Sequence, residues 1–148
     1  NPFDDIYFMK ESIKEAQKAF EKDEVPVGCV IVCNNQIIAR AYNFTQRLND
    51  ATAHAEMQVI TAACNYLQSR YLDNCTLYTT LEPCAMCSGA MFWAQLGHLV
   101  YATDDKKRGF TVMKKKLMHP KTEITKGILK SESAQLLTDF FQKKRKLE

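Results

Sequence analysis

The chain predicts an α/β fold, a three-layer α-β-α sandwich on a mixed five-stranded sheet. Three observations carry this expectation. Segments with helical and strand patterns alternate along the chain. No repeat, low-complexity tract or Pro/Gly/Ser-rich linker divides the 148 residues, which read as one domain able to bury a core without disulfide help. A strand, a helix and a second strand surround Cys84, and the crossover rule makes those two strands parallel.

Asp4 or Asp5 can cap a first helix running to about Lys22, with Met9, Ile13, Ala16 and Phe20 on one face. Pro26 and Gly28 introduce an apolar strand over Val27 to Cys33. Asn34-Asn35 then forms a tight turn, because Asn tolerates left-handed backbone angles. Gln36 to Tyr42 completes a hairpin. Asn43 to Ala53 is polar and irregular. A second helix starts near His54 and runs to Leu67, turning Met57, Ile60, Cys64 and Leu67 inward. Thr76 to Leu81 is a third strand. Pro83 suits the first turn of another helix, where its missing N–H has no partner to lose, and that helix reaches about Gln95. His98 to Ala102 is a fourth strand and Glu123 to Lys126 a fifth. Ser131 caps a terminal helix with Leu137, Phe140 and Phe141 inward. Thr103 to Pro120 has no clear period.

Composition excludes several classes. The chain is 46% hydrophobic and 25% charged, ordinary for a soluble globular protein. It has no apolar run of membrane-spanning length, and Asn1 to Asp5 shows no secretory pattern, so a cytoplasmic location with no membrane partner is expected. In that compartment six cysteines are metal ligands, nucleophiles or small core residues rather than disulfides. Cys29, Cys33, Cys64 and Cys75 lie in apolar surroundings and read as buried thiols. The net charge is only +3. Three basic runs nevertheless crowd the last third: Lys106-Lys107-Arg108, Lys114-Lys115-Lys116 and Lys143-Lys144-Arg145-Lys146. Such runs are commonly solvated faces, but three in an otherwise balanced chain favour a phosphate-bearing ligand.

The chemistry concentrates in His54-Ala55-Glu56 and Pro83-Cys84-Ala85-Met86-Cys87. Two cysteines three apart at a helix start put both sulfurs beside the first turn, where the helix dipole favours thiolate, the metal-binding form. His54 is a compatible third ligand. Three protein ligands leave one tetrahedral position open, the pattern of a catalytic zinc rather than a structural one. Glu56, two residues from His54, is a carboxylate beside the metal and not on it, placed to carry protons. A redox Cys-x-x-Cys gains nothing from His54. A structural zinc site needs a fourth protein ligand, for which His98, His119 and Cys75 are the candidates. The combined His-x-Glu and Pro-Cys-x-x-Cys pattern is similar to the signature of zinc nucleobase deaminases.

The likeness extends over nearly the whole chain. Glu24 to Gly28, Asp50 to Glu56, Thr80 to Met91, Glu123 to Leu129 and Leu136 to Phe141 together resemble the bacterial tRNA adenosine deaminases of the cytidine-deaminase-like superfamily. The resemblance implies a homodimer that converts adenosine to inosine at the wobble position of a tRNA anticodon loop. It implies one zinc per chain on His54, Cys84 and Cys87, with Glu56 as the catalytic proton shuttle. It implies that Asn43 and the backbone of Ala55 bind the flipped base, and that Phe140 and Phe141 border the anticodon groove near the Lys143 to Lys146 run. Plain core packing is the expectation for at least one of these two phenylalanines. One segment departs from the family. After Asp105-Lys106-Lys107-Arg108-Gly109, where the family carries a small-residue loop, Phe110 to Pro120 is shorter and more basic.

Two rivals remain. A deaminase of free guanine, cytosine or a nucleoside shares the metal motif, and the basic tail argues for RNA against it. A structural-zinc RNA-binding module or an inactive partner subunit has no use for Glu56.

Overall fold

A computed structural model describes residues 3–147. Asn1, Pro2 and Glu148 lie outside the described residues, and with them part of the N-terminal segment read for targeting. The elements run α1 (Asp5–Glu21), β1 (Gly28–Cys33), β2 (Gln36–Tyr42), α2 (Ala55–Leu67), β3 (Thr76–Leu81), α3 (Ala85–Trp93), β4 (His98–Thr103), a 3-10 turn (Phe110–Val112), β5 (Glu123–Lys126) and α4 (Lys130–Leu147). The sheet order is β2-β1-β3-β4-β5. The β1–β2 hairpin and the β1–β3 pair are antiparallel, whereas β3–β4 and β4–β5 are parallel. The expected mixed sheet, its five strands and the parallel pair around Cys84 are all present. Asn34 and Asn35 both take positive φ, 53° and 60°, as a two-residue hairpin turn demands.

The period of two divides the core. Cys29 and Ile31 of β1, Leu77 of β3, and Leu99 and Tyr101 of β4 pack with Val59 and Ala63 of α2 and Cys87 and Met91 of α3. Val30 and Val32, Tyr78, and Val100 and Ala102 point the other way, onto Phe8 and Met9 of α1. The central strands are therefore buried on both faces, and α2 with α3 form the layer opposite α1. No helix of the described residues is long and apolar enough to cross a membrane.

α1 is capped by Asp4, whose Oδ1 accepts the N–H of Tyr7 at 2.9 Å. Its sheet-facing side includes two polar residues. Ser12 Oγ donates to the Tyr78 carbonyl at 2.8 Å, and Glu15 pairs with Lys18 and Arg40. The helix sits very close to β1 at Gly28. A Cβ there would lie 2.2 Å from the Ser12 carbonyl oxygen and 2.3 Å from the Ala16 nitrogen, both backbone atoms that cannot swing aside. Gly28→Ala should therefore reach or exceed the top of the range of about 1–3 kcal/mol seen for overpacked cores. At about 2–4 °C per kcal/mol, thermal melting should fall by about 6–12 °C. An unchanged melting temperature would show that α1 can lift off the sheet freely.

Two boundaries and one face differ from the sequence expectation. Pro83 precedes α3 rather than occupying its first turn, because Cys84 is the N-cap. Ser131 lies inside α4 rather than capping it, since the helix already begins at Lys130 after Leu129 at φ 57°. The fully buried face of α2 is Ala55, Glu56, Val59, Ile60 and Ala63, while Met57, Cys64 and Leu67 are half-buried at its margin. Ala55 and Ala63 let the helix approach the sheet closely, and Val59 and Ile60 fill the space beside them. Cys29 and Cys75 are buried thiols as expected, but Cys33 and Cys64 are only half-buried; all six cysteines are free.

Candidate active site

The functional residues meet where β2 and β3 end and α2 and α3 begin. In an α/β sheet this is the customary position for a site, because strand ends and helix starts leave backbone and side chains unpaired around a crevice. His54 is the N-cap of α2 and Cys84 the N-cap of α3, and neither side chain makes a capping hydrogen bond. Their donor atoms stay available to each other. His54 Nδ1 lies 3.7 Å from Cys84 Sγ and 3.5 Å from Cys87 Sγ. The three ligand atoms lie within 4.8 Å of one another. A tetrahedral ion about 2.3 Å from sulfur and about 2.0 Å from nitrogen holds such atoms about 3.5 Å apart, so the triad fits zinc.

Among the described residues this is the one group of three metal-ligating side chains. His98 faces the Thr125 hydroxyl at 2.8 Å instead, and the His119 ring accepts the Lys121 N–H and packs on Phe92. Cys75, the third candidate, also stands outside the group, so among the described residues no fourth protein ligand joins the triad, and the set is that of an open site.

The electrostatics prepare the sulfurs for a cation. Cys84 is pushed down to about 3, first by the Cys87 thiol that donates to it and then by His54. Cys87 is pushed up, as the donor to that thiolate and because it is buried. His54 is pushed up by its hydrogen bond to Cys84, against burial and against the nearby Arg108 cation. Glu56 is 4% exposed in the first turn of α2, and burial raises it to about 7.

A cleft of about 900 Å³ opens over this centre. Val25, Val27 and Leu81 give it apolar walls, and Asn43, Ala55 and Glu56 line it beside His54 and Cys84. Asn43 is buried and fixed by its N–H to the Val27 carbonyl at 3.0 Å. Lys106, Lys107 and Arg108 line the cleft and are exposed. The two phenylalanines divide as expected. Phe140 is 3% exposed and packs edge-to-face on Phe20, whereas Phe141 is 45% exposed and lines the cleft.

The other two basic runs do not line it. Lys114, Lys115 and Lys116 flank a separate apolar cavity of about 260 Å³ floored by Phe110, Met113 and Met118. In the tail, Lys144 pairs with Asp23, and Lys143 sits over the Phe20 ring.

Besides Glu15 of α1, two buried carboxylates escaped the sequence reading. Glu24, fully buried, accepts the N–H groups of Gln46 and Arg47 at 3.0 and 2.8 Å. Glu82, 2% exposed, accepts from Asp105 and Thr111. The available signal was an acidic residue beside an apolar strand run, a position where burial requires partners.

Fold and site together define a class: zinc-dependent deaminases that act on nucleobase rings. Comparison with known proteins places the chain within it. The family of the cytidine and deoxycytidylate deaminase zinc-binding region matches residues 3–103, and the chain belongs to that family. The tRNA-specific adenosine deaminase of Bacillus subtilis (strain 168) is 42% identical over 147 residues, 96% of this chain and 91% of its own. A solved structure from a study of A-to-I editing by tRNA:A34 deaminases at the wobble position of transfer RNA is 40% identical. It superposes with a TM-score of 0.83, over 88% of this chain and 99% of that one. The X-ray structure of guanine deaminase from Bacillus subtilis is also 40% identical, over 66% of this chain and 63% of its own, with a TM-score of 0.63.

Proposed function

We propose that this chain, as one catalytic domain, hydrolyses adenosine to inosine and ammonia at the wobble position of a tRNA anticodon loop. The observation that carries the substrate is the exposed Lys106-Lys107-Arg108 arm at the mouth of a deaminase cleft. A free base has no phosphates for such an arm to meet, whereas an RNA loop brings several. The near-full-length likeness to tRNA-specific adenosine deaminases supports the same reading. The target base must leave its stack to enter, which favours a single-stranded loop. A tRNA substrate carries with it a cytoplasmic location.

Zinc on His54, Cys84 and Cys87 would supply Lewis acidity, lowering the pKa of a coordinated water to about 7. The chain's own residues do the rest. Glu56 accepts a proton from the attacking water and delivers it to the ring nitrogen as the new C–O bond forms. It then takes the remaining proton from the new hydroxyl, which becomes the carbonyl, and passes it to the exocyclic nitrogen as the C–N bond breaks and ammonia leaves. Asn43 and the Ala55 N–H, one of the helix-start groups without an intrahelical partner, orient the base. Phe141 borders the loop at the rim. A second copy of this chain is the expected partner, which the exposure of Tyr66, Phe92 and Trp93 on α2 and α3 supports.

The test is deamination by the zinc-loaded protein of an anticodon stem-loop with adenosine at the wobble position, beside free adenosine, guanine and cytosine. Inosine in the stem-loop with the free compounds untouched is expected, and light scattering on the same sample should read two chains. Guanine turnover with an untouched stem-loop would instead support the second reading, which the guanine deaminase likeness favours.

A further inference from the structure

The turn that carries Cys84 is bound to the loop that carries the cationic arm. Glu82 Oε1 accepts the Asp105 N–H at 3.0 Å. Its Oε2 accepts the Thr111 N–H at 2.9 Å and the Thr111 hydroxyl at 2.6 Å. The two oxygens of one carboxylate thus hold both ends of the 105–111 loop. Adjacent backbone reinforces the contact: Phe110 N–H donates to the Pro83 carbonyl at 2.9 Å, and Cys84 forms a β-bridge with Gly109.

The connection continues to the cations. Asp105 Oδ1 accepts the N–H groups of Lys107 and Arg108 at 3.1 and 3.0 Å. Glu82 therefore fixes Asp105, and Asp105 fixes the backbone of the arm. Among the described residues no ion pair involves Glu82, so its charge is balanced by these donors rather than by Lys106, Lys107 or Arg108. The three cations remain free to face a ligand. Gly109 leaves room for the arrangement, because a Cβ there would fall 2.2–2.4 Å from the Glu82 carboxyl atoms. That carboxyl could move aside only by giving up its three hydrogen bonds.

We propose that Glu82 is a positioning residue for substrate specificity: through Asp105 it holds the Lys106–Arg108 arm in the geometry that grips RNA phosphates. The inference rests on the RNA reading above. Without the clamp the arm would have to be ordered at each binding event, and that ordering cost lowers affinity. His54 and Glu56 are held by α2 and Cys87 by α3, while Cys84 keeps its own backbone bridge to Gly109, which does not pass through the Glu82 carboxylate.

The test compares zinc-loaded wild type, Glu82→Gln and Thr111→Val. Gln must turn an NH₂ toward a backbone N–H. Val removes one hydroxyl donor while leaving Glu82 in place, and so guards against a Glu82 variant that fails to fold. Hydrogen exchange should show the amides of residues 105 and 111 losing protection strongly in Glu82→Gln and less in Thr111→Val, which keeps both backbone bonds to Glu82. For the stem-loop, KM should rise about tenfold in Glu82→Gln, the scale of a lost charge-assisted hydrogen bond, while kcat at saturation changes far less. Lys107→Ala should raise KM in wild type yet add less than about threefold in the Glu82→Gln background, because residues of one network are not additive. Unchanged amide protection would overturn the clamp. Additive effects of Glu82→Gln and Lys107→Ala would overturn the positioning role. Wild-type protein that makes no inosine would overturn the substrate reading instead, and shows itself before any variant is compared.

Discussion

Glu56→Gln should lower kcat by about 10²–10⁴-fold, the usual contribution of a positioned proton-transfer group. Zinc content should stay at one per chain. Gln keeps the volume and polarity of the side chain but neither takes up nor releases a proton. Glu56 is suited to the task because α2 fixes it two residues from His54 and the core covers it. Burial holds it at about 7 in the metal-free chain, from an ordinary 4.5. A dication beside it favours the carboxylate, so in the loaded enzyme its value lies below that figure. The carboxylate is the form that accepts the first proton. Wild-type kcat/KM should therefore fall as pH drops through an acid limb at or below about 7, and Glu56→Gln should lose that limb.

The same burial has a stability consequence with a definite sign. A carboxyl raised in the folded state contributes stability that is complete below its ordinary value and is lost as pH rises through the folded value. Without metal, Glu56→Gln should thus melt higher than wild type at pH 8, with the gap closing by pH 4. A variant that turned over at the wild-type rate would remove Glu56 from the mechanism, whatever its stability.

How much of this was legible in the sequence depended on whether the geometry is local. Cys84 and Cys87 are three apart at a helix start, and His54 and Glu56 share one turn, so spacing alone put them together. The hairpin was legible because Asn34-Asn35 is a turn with its own backbone chemistry. Phe140 and Phe141 were harder, since adjacent residues on one helix went to different environments, one core and one cleft. The loop clamps were not legible. Glu24 and Glu82 bond to backbone N–H groups 22 to 29 residues away, and no side-chain pattern marks a backbone donor. The inward face of α2 was legible in part: Ile60 is in the core and Met57, Cys64 and Leu67 pack against it, while Ala55, Val59 and Ala63, where the helix comes closest to the sheet, were missed. The three basic runs looked alike as strings. The fold set Lys106–Arg108 beside the cleft, Lys114–Lys116 around another cavity, and Lys144 against Asp23.

Cys87→Ser should bring zinc content well below one per chain and reduce turnover with it. The residue is fully buried on the inner face of α3, and its sulfur faces both His54 and Cys84. Ionisation is favoured at Cys84 and opposed at Cys87, whose proton is held by its hydrogen bond to Cys84 and by burial. Zinc must displace that proton to use the sulfur, so loading should release at least one proton at neutral pH. Calorimetry in buffers of different ionisation enthalpy reads that number directly. Apparent affinity should drop about tenfold for each displaced proton per pH unit of acidification. The drop should steepen once His54, itself pushed up, is protonated as well. Serine offers no soft donor and ionises far less readily, so the variant keeps two good ligands where a tight site uses three. Chelation of the wild type should lower its melting temperature by mass action, and the same chelator should barely move Cys87→Ser. Retention of one zinc and full activity by Cys87→Ser would mean that another residue completes the site, and a chelated wild type that still turned over would mean that the metal is not part of the reaction.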